Sequence, residues 1–272
     1  MFDILFAAAS KTLLNFSENE LGGIPGFLAI LHTWDQKLLD HFHLHCIIAG
    51  SVISKDHQRW IATKTDYLFN QDALSLVFRG KFIDRMSQAC KSGNLKFADD
   101  SYKKLKNVLF TKKWVVSVRD PVKRPEYVLE YLARYTHRVA IANSRIKALK
   151  DGMVTFTAKN RKKDRTEPIT ISAVEFIRRF LLHSLPKGFV KIRHYGFLAN
   201  RNRAKNLKTI RRLMGLAESA PEDIRPLEEM MQKIAGIDIT ICPCCNEGKM
   251  LFYAQITQYR ARAPDSLARV VI

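Results

Sequence analysis

No stretch of the 272-residue sequence is apolar for long enough to cross a bilayer. The N-terminus, Met1-Phe2-Asp3, lacks a basic n-region, and Ala7-Ala8-Ala9-Ser10-Lys11 runs on into polar residues, which argues against a signal peptide. Only five cysteines are present, three of them crowded at Cys242, Cys244 and Cys245, which argues against a disulfide scaffold. A reducing cytoplasm is the expected setting. No internal repeat is visible. Acidic residues are scarce: 26 Asp and Glu face 45 Lys and Arg, a formal net charge of +19. Such an excess attracts polyanions, and nucleic acid ranks ahead of anionic membrane because each neutralised phosphate releases a counterion.

What is present suffices for a folded core, since 47% of residues are hydrophobic. Phe2 to Phe16 has helical periodicity, and Gly22-Gly23 and Pro25-Gly26 end it. Phe27 to Thr33, His43 to Ala49 and Arg59 to Thr63 read as strands, Ala73 to Cys90 as a helix, and Lys113 to Val118 as a strand. Pro125 is placed to open a helix that runs to about His137. Strands are expected at Val139 to Ile141, Arg145 to Leu149 and Met153 to Ala158, the last two joined by a hairpin through Asp151-Gly152. A helix over Ala173 to His183, a strand over Val190 to Arg193 and a basic helix over Arg201 to Met214 follow. Pro221 and Pro226 mark a looser stretch. This irregular mixture favours an α+β fold with a central antiparallel sheet flanked by helices over a doubly wound one.

Chemistry first shows in His41-Phe42-His43-Leu44-His45-Cys46. Alternate residues of a strand share a face, so His41, His43 and His45 point one way and Phe42, Leu44 and Cys46 the other. Imidazoles two residues apart can converge on one divalent cation, given further ligands from protein, water or substrate. Three imidazoles on a solvated face are the structural alternative.

Tyr131-Leu132-Ala133-Arg134-Tyr135 places two phenols four residues apart on one helical face, with Tyr127 one turn earlier. An aromatic core stripe is the bland reading. The neighbours Arg134, His137 and Arg138 suit a phosphate-facing helix better. A phenol has a pKa of about 10 and needs a positive neighbour to act as a nucleophile at neutral pH.

Together these segments resemble HUH nucleases, through the histidine–hydrophobic–histidine signature and the two-tyrosine motif Tyr131-Leu132-Ala133-Arg134-Tyr135-Thr136-His137-Arg138. The match is to rolling-circle insertion-sequence transposases of the IS-ninety-one type. Leu31-His32-Thr33-Trp34, Glu175-Phe176-Ile177-Arg178-Arg179-Phe180 and the run from Arg193 to Arg201 extend it to about Gly215. The resemblance implies an HUH endonuclease-like core in which His43 and His45 bind Mg²⁺ or Mn²⁺ and Tyr131 and Tyr135 attack DNA. His41 is an auxiliary ligand, and spacing does not rank His32 against Gln36 as a third. The expected activity is nicking and rejoining of single-stranded DNA at mobile-element ends through 5′-phosphotyrosine intermediates, in a nucleoid-associated protein. Members usually have proline where Phe42 stands and an N-terminal zinc module ahead of the core, which this sequence does not show. The competing reading is therefore a truncated, non-catalytic nucleic-acid-binding remnant.

No Asp or Glu occurs between Glu175 and Glu218, an interval crowded by Lys191, Arg193, Arg201, Arg203, Lys205, Lys208, Arg211 and Arg212. With Arg134 and Arg138, these are the expected DNA contacts. Tyr195 and Phe197 are candidates for stacking on bases, Phe197 being the better candidate for core. Cys242 and Cys245 have the spacing of half a zinc ribbon. The expected division is a nicking and joining core over 1–215 and a tail with the cysteine cluster over 216–272. Sequence alone leaves the oligomeric state open.

Overall fold

A computed structural model describes residues 1–63, 69–98, 101–119, 128, 140–160, 163–217, 226–236, 238–242 and 244–250. The chain divides into two compact units, Met1–Glu218 and Ser219–Ile272.

The first unit is α+β. Helix α1 spans Phe2–Phe16 and ends through a π-helical turn at Ser17–Leu21. Strands β1 (Ile24–Trp34), β2 (Asp40–Ile53), β3 (Trp60–Ala62) and β7 (Ile192–Gly196) form an antiparallel sheet in the order β3-β2-β1-β7. Alternation gives this sheet two distinct faces. Phe6 of α1 packs with Ala29 and Leu31 of β1, and Leu44, Cys46 and Tyr195 close around them. The other face carries Leu28, Ile30, His32, His43 and His45, the residues of opposite parity. Covering one face with α1 therefore leaves the histidines on the other.

Helix α2 (Gln71–Lys91) begins at Asn70, whose side chain accepts from the Ala73 amide at 3.0 Å. Its Phe82, Ile83 and Met86 pack on Ala8 of α1, and Tyr102 and Leu109 of α3 (Ser101–Thr111) join them. Strands β4 (Ile146–Lys150), β5 (Met153–Asn160) and β6 (Arg165–Ser172) form a second antiparallel sheet. Helix α4 (Ala173–Leu182) lays Phe176 and Phe180 against buried Phe156 of β5. Asp151 and Gly152 turn the β4–β5 hairpin with φ of 51° and 70°, the left-handed pair that the Asp-Gly dipeptide suggested. Helix α5 spans Arg203–Leu213, and in the second unit α6 spans Leu227–Ala235.

Three expectations need correction. Lys113 to Val118 is not a strand: Trp114 packs on Phe78 and Phe82, and its carbonyl accepts from Ser75 Oγ at 2.6 Å, so α2 rather than a sheet takes this segment. Ala140 and Ile141 form a bend whose side chains join the Phe156 cluster. The strand expected at Val190 starts at Ile192 and runs on to Gly196, because β1 pairs with it from Gly26 to Ile30. The helix expected from Pro125 to His137 lies outside the described residues, Val128 excepted.

Candidate metal centre and nucleic-acid surface

β1 and β2 bring three imidazoles together by register. His32 stands directly opposite His43, and His45 is two residues along β2, opposite Ile30. One ring nitrogen from each of His32, His43 and His45 lies within 4.8 Å of the other two. His43 Nε2 is 3.2 Å from His32 Nδ1 and 3.0 Å from His45 Nε2. Ligands bound about 2.0–2.1 Å from one ion sit about 2.9 Å apart at right angles and about 3.3 Å apart at tetrahedral angles. The observed spacing fits that of donors sharing one cation.

The electrostatics agree. Burial, followed by the charges of His43, His45, Lys191 and His41, lowers the His32 pKa to about 3. Burial and the charges of His43 and His41 lower that of His45 to about 4. Both rings are thus neutral near pH 7 and present lone pairs, the form that binds a metal. The tautomer of neutral His43 is also fixed. Its Nδ1 lies 2.7 Å from the His41 carbonyl, which can only accept, so Nδ1 donates and Nε2 faces the cluster as a lone pair.

His41 enters by its backbone. The β1–β2 register slips between His32 and Trp34, so that Trp34 faces Asp40 across a bulge containing His41 and Phe42. The His41 ring stays 4.6 Å from that of His43, outside the trio. Gln36 is directed elsewhere: its Oε1 accepts from the Lys159 amide of β5 at 3.4 Å. Phe42 turns to the opposite side and meets Phe2 edge-on at 5.4 Å.

Trp34 and Lys191 border the cluster. The Trp34 ring meets His32 at 4.3 Å, and Lys191 Nζ lies 4.9 Å from the Trp34 ring centre. Burial lowers the Lys191 pKa. A half-buried ammonium beside neutral imidazoles makes the site electropositive, suited to phosphate. Neither residue's position was readable from spacing, since Lys191 is brought to Trp34 only by the pairing of β7 with β1.

The expected basic residues separate into two groups. Arg201, Arg203, Lys205, Lys208 and Arg212 are exposed at or along α5. Arg211 donates to the Ala217 carbonyl at 3.2 and 3.0 Å and closes the helix end. Arg193 is built into the fold: it pairs with Asp3 at 2.5 Å and lies 4.1 Å over the Phe6 ring. Tyr195 stacks on Phe27 at 5.1 Å, while Phe197 is buried with Ile53 and Ile210. Tyr131, Tyr135, Arg134 and Arg138 lie outside the described residues. Among the described residues no helix is long and apolar enough to cross a membrane.

Residues 26–206 match a family model, Y2_Tnp, described as "Putative transposase". The chain is 39% identical over 265 residues to "Putative transposase y4qJ" of Sinorhizobium fredii (strain NBRC 101917 / NGR234), covering 92% of this chain and 67% of that protein. It is 22% identical over 271 residues to "Transposase for insertion sequence element IS801" of Pseudomonas savastanoi pv. phaseolicola, covering 94% and 63%. The chain thus spans 67% and 63% of the lengths of these relatives. No solved structure matches it. The matched region includes both histidine strands and the paired tyrosines, and the chain belongs to the Y2_Tnp family of transposases.

Proposed function

We propose that the chain is the nicking and joining core of a rolling-circle transposase that acts on single-stranded DNA at mobile-element ends and targets. The observation that carries this reading is the convergence of His32, His43 and His45 in a chain that also bears tyrosines four residues apart. The three imidazoles would hold Mg²⁺ or Mn²⁺, which would supply Lewis-acid polarisation of a phosphoryl oxygen. Lys191, beside His32, contributes fixed positive charge for the scissile phosphate. Tyr131 or Tyr135, as phenolate, attacks phosphorus. A Tyr–O–P bond forms, the bond from phosphorus to the 3′ oxygen breaks, and that oxygen takes a proton to become a free hydroxyl. Rejoining is the reverse with a new 3′ hydroxyl, which displaces the tyrosine. Two phenols allow two such transfers without release of the DNA.

The exposed cations of α5 fit a sequence-independent hold on the strand. The test is incubation of the chain with labelled single-stranded DNA from its flanking element and Mn²⁺, followed by denaturing electrophoresis. A covalent adduct is expected from the unaltered chain and none from the Tyr131→Phe, Tyr135→Phe double variant. Binding without any adduct would favour the non-catalytic remnant instead.

A further inference from the structure

A second cluster of chemical groups lies in the C-terminal unit, apart in chemistry from the histidines. Residues 238–242 and 244–250 contain a small hairpin in which Ile241 bridges Lys249 antiparallel. The Cys242 amide donates to the Gly248 carbonyl at 2.7 Å, the Asn246 amide to the Cys242 carbonyl at 2.9 Å, and the Met250 amide to the Thr240 carbonyl at 2.6 Å. Asn246 turns the chain with φ of 56°. These bonds fold the segment back over Cys245, and the Gly248 amide donates to its Sγ at 3.3 Å. Both cysteines border Gly248: a point at its Cβ position lies 3.4 Å from Cys245 Sγ and 3.7 Å from Cys242 Cβ.

We propose that Cys242 and Cys245 form a zinc knuckle, a thiolate pair that binds a zinc ion. The Gly248 amide aimed at Cys245 Sγ is a donor that favours the thiolate, the form that binds a metal. Neither cysteine is joined in a disulfide. Two soft sulfurs in Cys-x-x-Cys spacing select zinc over the hard cations that suit oxygen ligands. On binding, each thiol gives its proton to solvent and its sulfur donates a lone pair to the ion, with no change of oxidation state. The two thiolates fill half of a tetrahedral shell, leaving two positions for other donors. The ion ties the two arms of the hairpin together, much as a disulfide would.

Cobalt titration of the purified chain in a non-thiol reductant separates this site from the histidine cluster, because only sulfur ligands give a thiolate-to-cobalt charge-transfer absorption. That absorption is expected in the unaltered chain and in the His43→Ala, His45→Ala variant. It should be absent from Cys242→Ser, Cys245→Ser, and added zinc should abolish it where present. Absence of the absorption from the unaltered chain, or its persistence without these two cysteines, would overturn the assignment. Hydrogen exchange gives a second reading: zinc should slow the amides of Cys242, Asn246 and Gly248, and unchanged exchange would equally refute it.

Discussion

His183 Nε2 lies 3.1 Å from the carbonyl oxygen of Leu38, across 145 positions of sequence. Leu38 is fully buried and has a φ of 60°, so it sits in a turn that a leucine enters only under constraint. The constraint is visible. Asp35 Oδ1 accepts from the amides of Lys37 and Leu39 at 2.7 and 2.8 Å, and three consecutive carbonyls are met by side chains from elsewhere. Arg145 donates to Gln36 at 2.5 Å, Arg179 to Lys37 at 3.2 Å, and His183 to Leu38. This turn joins the strands that carry His32 and His43, so the second sheet and α4 hold the geometry of the cluster. His183→Ala leaves a buried carbonyl without its donor, at a cost of about 1–3 kcal/mol. Urea denaturation should show that loss, and metal titration of the folded variant should show weaker binding.

His41 and His43 test the division between backbone and ring. His43 offers Nε2 to the cluster, whereas His41 contributes only its carbonyl. His41→Ala keeps that carbonyl and should leave Mn²⁺ affinity nearly unchanged. His43→Ala removes a donor, and should cost more than the roughly 10–100-fold typical of losing an outer hydrogen-bond partner. Calorimetric titration of both variants checks the contrast; equal losses would mean that the His41 ring itself binds.

The depressed histidines also set an acid limit on stability. With folded values of about 3 and 4 against an ordinary 6.5, His32 and His45 bind fewer protons folded than unfolded between those limits. Stability therefore rises with pH across that window and falls as pH drops below about 6.5. Glu167, held at about 2 by Asn160 and Arg165, and Glu175, held there by Arg178 and Arg179, weaken the fold only as pH falls below their ordinary 4.5. Thermal midpoints should thus decline already between neutrality and pH about 5. A His32→Leu, His45→Leu variant should show a flatter profile there.

Local pattern carried much of this architecture. The apolar period of α1 matches Phe2–Phe16, and Asp151-Gly152 made the hairpin legible because the dipeptide dictates the turn. β6 escaped notice because Pro168 interrupts its pattern, a residue tolerated here since β6 is a sheet edge. The site was half legible. His43 and His45 are two residues apart in sequence and share a face by alternation alone. His32 joins them through an interstrand register, and the same register contains the slip at His41, neither of which spacing encodes. The roles of Arg145, Arg179 and His183 are less legible still, because they act over more than a hundred residues on backbone carbonyls.

Gly196 ends β7 opposite Gly26 and has a φ of 62°. A Cβ there would fall 1.7 Å from the Pro25 carbonyl oxygen, which itself accepts from the Phe197 amide at 3.0 Å. Gly196→Ala therefore combines the left-handed penalty of about 1–2 kcal/mol with displacement of backbone. The expected result is a loss of stability larger than that penalty, measured by denaturation, with weakened pairing of β7 to the histidine strand.

The basic residues should divide into two classes when salt is varied. Arg203, Lys205 and Arg212 are exposed on α5, where each can meet one phosphate. For single strands, each phosphate contact adds about 0.7 to the steepness with which log affinity falls with log salt. Replacing all three with alanine should reduce that slope by about 2, with little effect on folding. Arg193→Ala should do the opposite. Its guanidinium is engaged by Asp3 and the Phe6 ring, so its removal loosens α1 from β7 and lowers stability, while the slope is kept. Fluorescence anisotropy over a range of salt, beside denaturation of the same variants, distinguishes the two. An Arg193 variant that lost slope without losing stability would show that the arginine leaves Asp3 to bind DNA.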